Sequence, residues 1–189
     1  MSTMSSNIIR NGTHYRYLIG STNPNFIYSS DRNDWQSIDA SSNQLFQTTT
    51  SFIKKDDIII ASGISNNNSS YYTLAYSNNN GINWTPISQS NSFNWSATCI
   101  AYSPSLNRFV AVGRGNRGIA TSSNGKKWSA EGITNTLGTD ITVFVRGRGV
   151  TWGNNIFVAV GDVDNIPSTY SINTSTDGKA WKQVNKSIF

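Results

Sequence analysis

Apolar residues along the chain fall in short, nearly continuous runs separated by Ser, Thr, Asn and Gly, with neither a helical period nor helix caps. Two runs are nearly the same word, Arg108-Phe109-Val110-Ala111-Val112-Gly113 and Ile156-Phe157-Val158-Ala159-Val160-Gly161. Ile58-Ile59-Ile60-Ala61-Ser62-Gly63 and Tyr15-Arg16-Tyr17-Leu18-Ile19-Gly20 share the pattern. Each run is rich in β-branched or aromatic side chains and closes on glycine, which predicts a strand buried on both faces. Cys99-Ile100-Ala101-Tyr102 and Gly149-Val150-Thr151-Trp152 precede two of them and end in turn residues. In the last repeat the pattern predicts strands near 144–152, 156–160, 169–175 and 181–184, with hairpin turns at Gly153-Asn154-Asn155 and Asp177-Gly178.

A second word follows each run and ends in tryptophan. The four copies are Ser29-Ser30-Asp31-Arg32-Asn33-Asp34-Trp35, Ser77-Asn78-Asn79-Asn80-Gly81-Ile82-Asn83-Trp84, Ser122-Ser123-Asn124-Gly125-Lys126-Lys127-Trp128 and Ser175-Thr176-Asp177-Gly178-Lys179-Ala180-Trp181. The tryptophans are 49, 44 and 53 residues apart, so four units tile the 189 residues. Four antiparallel strands in a unit of this length make a propeller blade. The expected fold is therefore all-β, a single-domain four-bladed β-propeller with blades at about 7–40, 41–90, 91–135 and 136–189. Asn7–Arg10 is the expected first strand. A closed ring is favoured over an open arc completed by dimerisation, and both monomer and homo-oligomer fit.

The Ser-x-Asp/Asn…Gly…Trp words resemble the Asp-box, or BNR, repeat of sialidase-like propellers. The wider unit is similar to short bacterial and viral propeller repeats. The family spacing, Ser-x-Asp-x-Gly-x-x-Trp, is kept only in the second unit, with Asn79 in place of aspartate; the other units are one residue shorter. In the first, Arg32 or Asn33 stands where glycine is expected. The resemblance implies a structural role for Asp31, Asn79, Asn124 and Asp177 and for Trp35, Trp84, Trp128 and Trp181. It does not bring the sialidase catalytic set, whose arginines and tyrosine–glutamate pair are spread over more blades than this length holds. The Asn-rich loops also resemble those of small propeller proteins from large DNA viruses of amoebae, which would make the chain a virion component.

Composition narrows the function classes. Glu131, the only glutamate, falls on a strand or loop where no catalytic carboxyl pair can be placed, and His14, the only histidine, lies beside the N-terminal edge strand as a surface residue. Neither a glycosidase pair nor a hydrolase triad is expected. Gly113-Arg114-Gly115-Asn116-Arg117-Gly118 lacks the Gly-Lys-Ser/Thr ending of a phosphate loop. Cys99 is the sole cysteine, which excludes an internal disulfide and predicts an inert core thiol. Asp162 and Asp164 are too few ligands for calcium. A non-enzymatic protein without cofactor or metal follows. No apolar stretch spans a membrane and no signal peptide is visible, so an intracellular, soluble protein is expected.

The net charge of +5 is unevenly placed. By the order of strands in a blade, Arg114 and Arg117 on one loop and Arg146 and Arg148 at the next blade's entry share a face. Residues two apart on a strand point to one side. Arginine's planar fork suits phosphate and carboxylate, so these four are the candidate site for an anionic macromolecule, either nucleic acid or an acidic protein. Lys126 and Lys127 belong to the opposite face. The alternative is a carbohydrate- or protein-binding scaffold, lectin-like or structural, using Tyr71, Tyr72 and Trp95 among Asn-rich loops.

Overall fold

The computed structural model of the chain describes residues 6–11, 14–20, 26–38, 45–65, 72–88, 93, 95–115, 117–131, 133–134, 140–141, 144–162 and 170–184. Its contacts divide into two compact units, Met1–Ser88 and Gln89–Phe189. No described residue is helical, and every described strand pair is antiparallel.

The first unit holds two sets of four strands in chain order. The first set is β1 (Ser6–Asn11), β2 (His14–Gly20), β3 (Phe26–Ser29) and β4 (Gln36–Ile38). The second is β5 (Thr48–Lys55), β6 (Ile58–Ile64), β7 (Leu74–Ser77) and β8 (Thr85–Pro86). The second unit begins with β9 (Ser96–Ser103), β10 (Arg108–Arg114), β11 (Ile119–Ser122) and β12 (Ser129–Glu131). A short hairpin absent from the sequence expectation follows, β13 (Ile133–Thr134) with β14 (Asp140–Ile141). The last set is β15 (Arg146–Gly153), β16 (Ile156–Asp162), β17 (Tyr170–Ser175) and β18 (Lys182–Val184).

The second strand of a set carries the core. Along β10, Phe109, Val110, Ala111 and Val112 are all fully buried, as expected of the apolar run. The similar run of β16 alternates instead, with Phe157 and Ala159 buried and Val160 40% exposed, so that strand is not buried on both faces. One unit packs Leu18, Phe26, Phe46, Phe52 and Ile59 together, with Trp84 against them. The other packs Val110, Val112, Ile119, Phe144, Phe157 and Trp181, with half-buried Cys99 beside them.

The turn between the third and fourth strands of each set is closed by side chains rather than by a ladder. In the last set the Ser175 hydroxyl donates to Asp177 Oδ1 at 2.9 Å and accepts from the Gly178 N–H at 2.8 Å. The same Oδ1 accepts the N–H groups of Lys179 and Ala180, both at 2.8 Å, and Trp181 Nε1 donates back to the Gly178 carbonyl at 3.0 Å. Asp31, Asn79 and Asn124 centre corresponding cages, and each closing indole donates to the matching carbonyl. The residue that gives this carbonyl is left-handed every time: Arg32 (φ 76), Gly81 (φ 80), Gly125 (φ 72) and Gly178 (φ 77). Arg32, not Asn33, thus holds the glycine position. The longer second turn absorbs its extra residue with another left-handed one, Asn80 (φ 60). Opposite the serine in register stand Tyr17, Ile59, Phe109 and Phe157. Three of them receive the closing indole at centroid distances of 6.5, 6.4 and 6.4 Å. Where the residue is Ile59, Trp84 packs on Phe26 instead, at 4.7 Å.

Two of the four cages titrate. The N–H groups of Asp34 and Asn33, with the Ser29 hydroxyl, hold the Asp31 carboxyl below its ordinary value. For Asp177, burial pushes the carboxyl up; the N–H groups of Lys179 and Ala180, the Ser175 hydroxyl and the charge of Arg108 together outweigh it and leave it lowered. A carboxyl lowered by folding stabilises the fold above its unfolded value, near 3.8, and loses that contribution as pH falls through the folded value.

The cages make two expectations measurable. A non-glycine residue in the left-handed region costs roughly 1–2 kcal/mol, against which stands an exposed Arg32–Tyr17 stack of about 0.5–1 kcal/mol. Arg32→Gly should therefore stabilise the protein by about 0.5 kcal/mol in urea unfolding, and Gly125→Ala should destabilise it by about 1 kcal/mol. In thermal melts at successively lower pH, Asp177→Asn should flatten the acid loss of stability. Asn124→Asp should steepen it.

Candidate anion-binding site

Among the described residues, three sets carry one extra residue at the same place in their first strand. Thr50 lies between two residues that pair with Gly63 and Ser62, Thr98 between partners of Gly113 and Val112, and Arg148 between partners of Gly161 and Val160. The glycine is required because the first strand's backbone and an aromatic ring both crowd it; a Cβ would meet the carbonyl oxygen of Thr48, Ser96 or Arg146. A Cβ added at Gly63, Gly113 or Gly161 would come within 3 Å of the ring of Phe46, Phe93 or Phe144. A bulge takes one residue out of the ladder and redirects its side chain.

What that side chain does differs from set to set. Thr50 Oγ1 lies 2.9 Å from Ser62 Oγ. The Thr98 hydroxyl is shared between the carbonyls of Val112 at 3.0 Å and Gly147 at 2.6 Å, fastening β9 to β15. Arg148 instead reaches outward and clasps Asp162, with Nη2 2.9 Å and Nε 3.3 Å from Oδ2. Arg146 Nε stands 4.0 Å from the same oxygen. The Asp162 side chain is 13% exposed; those of Arg146 and Arg148 are 39% and 49% exposed.

The residue after the covered glycine also varies on a constant backbone. Its carbonyl accepts an N–H from the first strand's approach in each case: Ile64 from Gln47, Arg114 from Trp95 and Asp162 from Val145. Arg114 stacks its guanidinium 5.0 Å from the centroid of the Trp95 ring, and Trp95 remains 57% exposed. Arg114 and Arg146 are also direct cross-strand partners where β10 meets β15. Like charges directly opposite each other on neighbouring strands repel. Among the described residues, three arginines, one exposed indole and the Asp162 carboxylate thus share one end of this unit.

Arg114, Arg146 and Arg148 therefore lie together through the β10–β15 contact and Asp162. Arg117 is half-buried on the turn between β10 and β11. Tyr72 belongs to the other unit, before β7, and Tyr71 lies outside the described residues, as does Asp164. Trp95, grouped in the sequence with those tyrosines, partners Arg114 instead. Sequence reasoning missed the clasp by Asp162, although aligning the repeats sets Asp162 at the position of Arg114. Elsewhere, exposed Lys126 and Lys127 give their backbone N–H groups to Asn124. Glu131 accepts the Thr121 hydroxyl at 2.6 Å, and Cys99 Sγ faces the Val150 carbonyl at 3.5 Å. Among the described residues no three His, Cys, Asp or Glu side chains cluster as metal ligands, and no helix is long and apolar enough to cross a membrane.

No protein-family model and no curated protein sequence matches the chain. Solved structures do. A GH74 xyloglucanase from Xanthomonas campestris is similar over 90% of this chain and 28% of its own, with a TM-score of 0.62 and 13% identity. A nidogen/laminin complex matches over 92% and 63% at TM-score 0.59 and 13% identity. YCF48 bound to D1 peptide matches over 97% and 52% at TM-score 0.55 and 12% identity. This chain spans less than two thirds of the length of each of these proteins. Such similarity carries the fold alone: an all-β, propeller-like architecture of antiparallel sheets.

Proposed function

We propose that the chain is a non-catalytic interaction module of the propeller kind, which binds an anionic macromolecule through Arg114, Arg146 and Arg148. The convergence of Arg146 and Arg148 on the Asp162 carboxylate, with Arg114 directly opposite Arg146, carries the reading. Arg117, on the adjoining turn, adds to the same positive end. Because Asp162 already engages Arg148, it acts as an internal counter-ion that an incoming phosphate or carboxylate must displace or join.

The four strand sets are read as four blades of the Asp-box type. The recurrence of the serine–carboxyl–indole cage with one left-handed residue supports this. A binding rather than catalytic role is supported by Glu131, whose carboxylate is engaged by Thr121 across β11 and β12. Propeller-like neighbours that carry protein partners, the nidogen/laminin complex and YCF48 with its D1 peptide, show that this fold serves such roles elsewhere.

Fluorescence anisotropy with labelled DNA and polyglutamate from low to physiological salt tests the reading. Binding is expected in the micromolar range at low salt, with log K falling linearly against log salt. Arg146→Ala and Arg148→Thr should each weaken it severalfold and reduce the slope by about 0.7–0.9 for each phosphate no longer neutralised. Threonine is the residue that the bulge already holds at Thr50 and Thr98, so the fold is preserved. Asp162→Asn, which frees Arg148, should tighten binding. The reading fails if no polyanion binds at low salt, or if these variants leave affinity unchanged.

A further inference from the structure

We propose that Trp95 and Arg114 form a stacking platform for a base of single-stranded nucleic acid, whose flanking phosphates fall to Arg146 and Arg148. The inference rests on the anion-binding reading and narrows it to one ligand class.

Trp95 is the most exposed of the large hydrophobic side chains described, at 57%. The tryptophans that close the four turns donate Nε1 to a carbonyl of their own turn, whereas Trp95 belongs to neither core cluster. Its backbone is tied down, with its N–H donating to the Arg114 carbonyl at 3.3 Å. One face of its ring is occupied by the Arg114 guanidinium, which fixes the ring's orientation. The exposed remainder of the indole is a flat apolar surface beside net positive charge.

That pairing selects among anions. An acidic peptide offers carboxylates to the arginines but nothing flat to the indole. Duplex DNA offers phosphates while its bases remain stacked inside. A sugar covers the indole but makes no use of three guanidiniums. An unpaired nucleotide supplies both a π-face and a phosphate, the combination on which sequence-tolerant single-strand binding depends. Arg146 stands directly opposite Arg114, about 5 Å away at Cα, so its long side chain reaches a phosphate flanking a base stacked on Trp95.

The test compares four probes by anisotropy in matched salt: a short oligothymidylate, the same backbone made abasic, a duplex of equal length, and polyglutamate. Oligothymidylate should bind about 5- to 150-fold more tightly than the abasic strand, as one stacked base contributes. Trp95→Ala should remove that difference between base-bearing and abasic strands, while Trp95→Phe keeps part of it. Unaltered thermal melts of both variants exclude a folding defect. Equal binding of base-bearing and abasic strands, or an inert Trp95→Ala, overturns the stacking proposal while the anion reading stands. Tighter binding of duplex or polyglutamate than of oligothymidylate overturns it likewise. No binding to any probe overturns both.

Discussion

The architecture depends on an oxygen atom that stands in for a missing ladder. At each turn between third and fourth strands, one side-chain Oδ1 accepts backbone N–H groups that would otherwise be unpaired, and a serine hydroxyl bridges to it. The cage fixes where the left-handed residue falls, and that residue's carbonyl anchors the indole. The indole in turn lies against the second strand, three times on an aromatic ring opposite the serine. Local polar chemistry and core packing are thus one construction.

The second recurring constraint acts at the other end of the same strands. A ring stands on a glycine, and the partner strand carries an extra residue beside it. Gly147 extends this to the junction of β10 and β15, since a Cβ there would strike Val112. The close approach lets Thr98 bond across to β15 and sets Arg146 opposite Arg114. The cationic end of the unit follows from glycines that let backbones meet.

Much of this was legible in the sequence, and the unread part has physical causes. The tryptophan words carry their own hydrogen-bonding groups, so the repeats announced themselves, and strand limits in the last set agree within two residues. Phe46, Phe93 and Phe144 recur 47 and 51 residues apart, but in unlike settings: Phe46 follows Leu45, Phe93 stands among polar residues, and Phe144 lies within Val143-Phe144-Val145, so no shared word marks them. Bulges shift the alternation of facing side chains, so the common side of Arg146 and Arg148 rests on a shared partner, Asp162, more than on strand period. Trp95 read as a loop aromatic because its partner, Arg114, comes from the following strand. The hairpin of β13 and β14 has only two residues a side, too short for a periodic signal.

The bulge gives the repeat an open position in its own grammar. A residue outside the ladder register need match no cross-strand neighbour, so threonine and arginine are both accommodated there. Two sets fill that position with threonine and use it as mortar; the last fills it with arginine and turns it toward solvent. Repeated units with such a position can differ there by a single substitution without any strand having to move.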